Sequence, residues 1–255
     1  MNKIIKYVIV DITRNKIVLF YTVFLLLISL SIFSFDDNTS KGLISLMNVI
    51  LLIVPLVSII FSSIYIYNSS EFIDLLVCQP IRRRFIWLSV FSGLSSSLCI
   101  AFLLGSGIVI LLNEPSITGL VMVVCGCLLT IVFTAISMLA TVTTRDKARG
   151  IGKAILLWLY FAVIYDAIVL FLLFQFSDYP LEKPMMVMSA LNPIDLTRIN
   201  ILLRLDISAL MGYTGAVFKD FFGTHKGILI SLGVLVLWAA LPMWRSTVKF
   251  QKKDL

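Results

Sequence analysis

Ionisable residues are scarce in this chain. Only 14% of its 255 residues are charged, and it has a single histidine, His225. Soluble domains carry about one quarter charged residues, so the shortage excludes an ordinary soluble domain. A hydrophobic content of 60% and a mean hydropathy of +1.03 assign the chain to a bilayer instead. Recognised catalytic patterns are missing too. No H-E-x-x-H, Ser/His/Asp set or glycine-rich dinucleotide loop can be assembled. The nearest approach to a P-loop is Gly152-Lys153, but Ala154 follows where Ser or Thr would bind magnesium, and no glycine lies five residues before Gly152. Covalent chemistry is therefore not expected, and any energy input has to come from another subunit.

Cysteine is sparse. Cys78, Cys99, Cys125 and Cys127 lie within or beside apolar runs, which argues against a secreted disulfide framework. Cys125-x-Cys127 has donors for a soft metal, although small sulfur residues are also ordinary packing material in membrane helices. The net charge of +7 is no nucleic-acid signal, because the cations cluster at the ends of apolar runs and no basic block interleaved with aromatics occurs.

What the chain has in abundance is apolar runs of membrane-crossing length, about 20 residues. Six qualify: 17–35, 43–67, 86–112, 120–143, 154–176 and 227–243, the last extending comfortably to Trp244. The first is too long for a cleaved signal peptide. Fifteen of the twenty-one Lys and Arg fall in the N-terminal segment, the 68–85 and 144–153 connections and the tail. The positive-inside rule then puts both termini in the cytoplasm, in keeping with an even number of spans. The expected fold is an all-α polytopic membrane protein forming one domain. Residues 1–16 form an interfacial amphipathic helix carrying Ile5, Val8, Ile9 and Ile12 on one face. Residues 17–176 hold spans one to five, 177–226 an external helical segment, 227–244 span six and 245–255 a cytoplasmic tail. In the external segment, the run after Pro193 reads as one or two amphipathic helices broken near Gly212–Gly215, lying on the membrane or supporting a partner.

Asp166 sits near the middle of span five. An acid at bilayer centre costs roughly 2.5–3.5 kcal/mol, so it has to face protein or water. It is a candidate for a translocation path, or an acid satisfied by Tyr160, Tyr165 or a neighbouring helix. Ser89, Gly93 and Ser97 recur at four-residue spacing in span three, as closely packed helices require, either within one chain or between two copies.

Between spans two and three lies "EFIDLLVCQPIRRR", residues 71–84. Phe72, Leu75, Leu76 and Gln79 follow helical spacing, Glu71 and Asp74 share a nearby face, and Pro80 stops the helix. Arg82, Arg83 and Arg84 suit lipid headgroups ahead of the next span. A short cytoplasmic helix at this position is shaped to plug into a partner. A solvated turn whose arginines fix topology is the plainer reading.

Six spans, an interfacial helix before the first and this short helix between spans two and three resemble the ABC transporter type-2 permeases. Two segments, Tyr67–Ser89 and "LNPIDLTRINILLRLDISALMGYTGAVFKDFFG" (191–223), are similar to the permease of the nitrous-oxide-reductase maturation system. That resemblance implies a bacterial inner-membrane subunit that is not itself an enzyme and works as two copies. It implies a cytoplasmic ABC ATPase that binds ATP and magnesium, so no cofactor is bound by this chain directly. It further implies a periplasmic β-helical maturation protein, with a copper chaperone as a further partner. The task served is assembly of the copper–sulfur centre of nitrous oxide reductase, by movement of a sulfur species or by mechanical transmission. A generic exporter of lipid or drug is the competing expectation. Residue by residue, Glu71, Phe72, Asp74, Leu75, Leu76 and Gln79 match the ATPase-coupling helix. Asn192, Pro193, Asp195, Arg198, Phe218 and Asp220 match the segment that would meet the periplasmic protein. No metal site carries over; Met185, Met186, Met188 and His225 are weak candidates for copper contact, since thioether and imidazole suit copper. Lipids are expected neighbours and nucleic acid is not.

Overall fold

The computed structural model describes residues 2–35, 39–176, 187–205 and 225–252. Helices account for nearly all of them. The elements are α1 (Asn2–Thr13), α2 (Lys16–Phe35), α3 (Thr39–Asn68), α4 (Ser70–Val77), α5 (Arg83–Asn113), α6 (Ile117–Val142), α7 (Lys147–Gln175), α8 (Pro193–Leu202) and α9 (His225–Gln251). Six of these, α2, α3, α5, α6, α7 and α9, are long and apolar enough to cross a membrane. α5 and α7 each contain one wider π turn, Leu103–Gly107 and Tyr160–Ile164.

α5 and α6 form the centre. In their most apolar stretches 61% and 67% of residues are buried, against 22% in α2 and 11% in α7. α2 and α7 thus leave most of their apolar surface for lipid or another chain. Small and hydroxylated residues let the central helices close up, as membrane packing demands. Ser63 of α3 and Ser137 of α6 hydrogen bond at 2.8 Å, and Thr130, Thr134 and Thr141 return their hydroxyls to their own helix. The π turn of α5 brings Gly105 against Thr22 and Leu25 of α2, where a Cβ would lie 2.9 Å from both. Gly126 of α6 faces the fully buried Phe102 ring so closely that a Cβ would overlap it. Gly126→Ala is therefore expected to cost about 1–3 kcal/mol by overpacking. Thermal unfolding in detergent would read this, and Phe102→Leu in the same chain should recover most of the loss.

Spans one to four start and stop within a few residues of the expected limits, span five starts earlier, at Lys147, and the last helix runs well past its expected end. α9 continues unbroken to Gln251 and absorbs most of the expected 245–255 tail. Trp87 of α5 fixes it: its indole donates to Ser246 Oγ at 2.9 Å and its ring stacks on Phe250 at 4.3 Å. The Ser89/Gly93/Ser97 stripe serves an internal contact, because Val8 of α1 occupies the space that a Cβ on Gly93 would need. α1 is thereby seated on α5 through Val8 and Ile12, both buried. Chain order and these contacts put α4, α1 and the end of α9 at one end of the bundle and α8 at the other.

Candidate functional site

α4 is helical because its apolar residues fall on one side. Ile73 and Leu76 are buried against the bundle, and Phe72 packs on Tyr7 of α1 with ring centroids 5.0 Å apart. Glu71, Asp74, Leu75 and Gln79 point outward, with Leu75 68% exposed. Of the six sequence candidates, Glu71, Asp74 and Leu75 share the accessible face of α4, and Gln79 is exposed just past its end. Leu76 is a core residue, because it follows the buried Ile73 by three positions and lies on the same side of the helix. The helix ends at Val77, ahead of Pro80. Beside it, Tyr67 donates to the Thr144 carbonyl at 3.0 Å, and Lys147 donates to Asn68 Oδ1 at 2.7 Å. Gly150 lies so close to the Tyr67 hydroxyl that no side chain fits there. The α6–α7 connection is therefore tied to the base of α4.

At the opposite end, α8 departs from expectation. It does not lie flat as an amphipathic helix; seven of its ten residues are buried, among them Ile194, Leu196, Ile199 and Ile201. It inserts among α3, α6 and α9. Asn192 caps it by accepting from the Ile194 amide at 3.0 Å, and Pro193 begins the helix where its missing N–H costs nothing. Asn192 also donates to the Phe161 carbonyl at 2.9 Å, within the π turn of α7. A π turn disturbs the regular i→i−4 ladder, and here the Asn192 amide meets one of its carbonyls. Thr197 bonds the Pro193 carbonyl, and Ser231 of α9 donates to Asn200 Oδ1 at 2.6 Å, while Asn200 Nδ2 is buried without a partner.

Asp166 is paired at this joint through Oδ2 alone; its Oδ1 is buried without a hydrogen-bond partner. Arg198 Nη1 sits 3.0 Å from Asp166 Oδ2 and 3.1 Å from Asp195 Oδ1. Of the partners expected for Asp166, the neighbouring helix supplies one, and it does so through Arg198. The signal available was an unpaired acid in a span and an arginine three residues after an aspartate in the external segment. Tyr165 instead donates to the Met188 carbonyl. Two carboxylates share one guanidinium in a half-buried setting. Burial first, then the hydrogen bond and charge of Asp166, push the Asp195 carboxyl up to about 7 against the pull of Arg198 and Asn192. Asn192 and Pro193 are buried within the chain. Phe218, Asp220, Met185 and Met186, and the Gly212–Gly215 break, lie outside the described residues, as does the side chain of His225.

Among the described residues no cluster of three or more His, Cys, Asp or Glu side chains is placed to hold a metal ion. Cys125 and Cys127 do not converge, since residues two apart on a helix face different ways. Cys125 is fully buried, and the Cys127 carbonyl accepts from the Cys99 thiol of α5 at 3.6 Å.

No curated protein matches the sequence. The profile of the family described as ABC-2 family transporter protein matches residues 9–255, nearly the whole chain. ABC-2 permeases are membrane components that work with a cytoplasmic ATPase subunit. With six apolar crossings, and with 247 of 255 residues inside the family match, the chain belongs to the ABC-2 transporter family and is a multi-pass membrane permease subunit.

Proposed function

We propose that this permease carries motion from an ATPase docked on α4 to the external end of the bundle, and that the task served is maturation of the copper–sulfur centre of nitrous oxide reductase. In this reading both termini are cytoplasmic, α1 lies in the membrane interface, and two copies associate through the exposed apolar faces of α2 and α7. One observation carries the reading: the Asp166–Arg198–Asp195 joint, 3.0 and 3.1 Å, which couples a spanning helix to α8. A displacement of α7 at its α4 end, where Tyr67 holds the loop before it, then reaches α8 through a charged link rather than through lipid-like contacts. The similarity of residues 67–89 and 191–223 to the maturation permease supports the choice of partner. Passive transmission is favoured over a conduit because the buried polar residues of the spans are mainly Ser and Thr satisfied by protein groups.

The test is affinity purification through a tag at Leu255 from cells that respire nitrous oxide. A soluble ATPase and a periplasmic protein should both accompany the wild-type chain. Phe218→Ala/Asp220→Ala should lose the periplasmic protein and keep the ATPase. If the ATPase arrives alone from both chains, a generic exporter replaces the maturation role. If neither arrives although the chain stays folded, the coupling assignment falls as well.

A further inference from the structure

Three cations converge on one groove. Lys153 of α7 and Arg245 and Lys249 of α9, all exposed, rim a cavity of about 680 Å³ between α6, α7 and α9. Its walls are apolar, with Leu157, Phe161 and Trp238 among them, and among the described residues none that lines it is acidic. A second cavity of about 630 Å³ adjoins it, sharing Leu139, Trp238, Pro242 and Arg245, and continues along α9 to Val234 and Leu191. Each lies within the roughly 300–1,000 Å³ range of small-molecule sites. From Lys249 to Val234 the path along α9 is about 22 Å, longer than one leaflet's half of a hydrocarbon core of roughly 30 Å. The length suits an acyl chain, and the charge sits at one end only.

We infer that this groove holds a phospholipid with an anionic headgroup, its phosphate at Lys153, Arg245 and Lys249 and its chains along α9. Three features favour that occupant over a random neighbour. Trp244, 64% exposed at the mouth, suits the headgroup level. Lys153 is positioned, since its Nζ donates to Thr143 Oγ1 at 2.9 Å. And Arg245 lines both cavities, so the charged end is continuous with the apolar path along α9. On the other side of α9 a neighbouring groove of about 440 Å³ has Arg84 as its one charged lining residue, which supplies an internal control. The occupant would bridge α7, the least buried span, to α9. The inference uses the membrane location alone and stands whichever side α4 faces.

Each Lys or Arg near a headgroup contributes roughly a fivefold gain for anionic lipid, less when screened. The full chain would be purified with an equimolar mixture of phosphatidylglycerol and phosphatidylcholine bearing identical chains, then read by native mass spectrometry for both bound lipid and oligomeric state. About one phosphatidylglycerol should remain per chain, preferred about tenfold. Lys153→Gln/Arg245→Gln/Lys249→Gln should abolish the preference, and Arg84→Gln should keep it. Leu139→Trp, which fills the groove, should expel the lipid without changing the oligomer. Equal retention of both lipids, equal loss in the triple variant and Arg84→Gln, or a dimer that dissolves in Leu139→Trp with lipid unchanged would each overturn the assignment.

Discussion

Arg198→Ala is expected to lower the unfolding temperature by about 5 °C and to steepen its dependence on pH. Among the described residues, Arg198 is the one cation that bonds both Asp166 and Asp195. Without it two carboxylates remain together, one of them in a side chain only 13% exposed. Removing one partner of a buried pair costs about 3–5 kcal/mol, and surface pairs about 0–1. Arg198 is 34% exposed, so a cost of about 2 kcal/mol is the reasonable middle, and 1 kcal/mol shifts a chain of this size by about 2–4 °C. The sign of the pH effect follows from Asp195. Its folded-state value of about 7 lies above that of an unfolded aspartate, near 3.9. Between those values the folded chain binds more protons than the unfolded one. Stability therefore falls as pH rises from about 4 to about 7 and levels off beyond. Arg198 pulls the Asp195 value down, so its loss extends the fall to higher pH. Thermal unfolding at pH 5 and pH 8 should show a larger gap in Arg198→Ala than in wild type and a smaller one in Asp195→Asn. An Arg198→Ala chain as stable as wild type at both pH values would mean that the joint is too well hydrated to couple α7 to α8.

The spans were legible because each is a continuous apolar run of about 20 residues or more, too long for a barrel strand, and a helix satisfies its own backbone in hydrocarbon. What joins them was not. Asp166 and Arg198 are 32 positions apart, and periodicity carries no information on which helix meets which. The π turns share no sequence pattern, one being LLGSG and the other YFAVI, yet they set where Gly105 meets α2 and Asn192 meets the Phe161 carbonyl. α8 was misread for a related reason. Its spacing continues that of Leu203 and Leu205, but Ile194, Leu196, Ile199 and Ile201 lie all round the helix, the pattern of a buried rather than a surface helix. On α4 the outward acids were legible and the division between Leu75 and Leu76 was not, because both fit a helical stripe until the bundle fixes the rotation.

That division makes α4 separable into two kinds of residue. Charge reversal on the outer face, Glu71→Lys/Asp74→Lys, should remove the co-purifying ATPase by more than tenfold and leave the chain's unfolding temperature within about 2 °C. Both side chains are exposed, and surface substitutions of this type usually stay within about 0.5 kcal/mol. At an interface the same change is costly, since like charges brought together oppose docking by several kcal/mol. Leu75→Ser should behave similarly, because a leucine 68% exposed beyond the apolar spans gains only when a partner covers it. Ile73→Ala is the contrast. Ile73 is 4% exposed, so truncation should cost about 2–5 kcal/mol of stability and weaken the ATPase only as α4 loosens. Pull-down and thermal unfolding on the four chains read the two effects independently. If Glu71→Lys/Asp74→Lys keeps the ATPase while Ile73→Ala loses it, α4 is a structural brace, and the motor binds elsewhere, with the α6–α7 connection held by Tyr67 the next surface to probe.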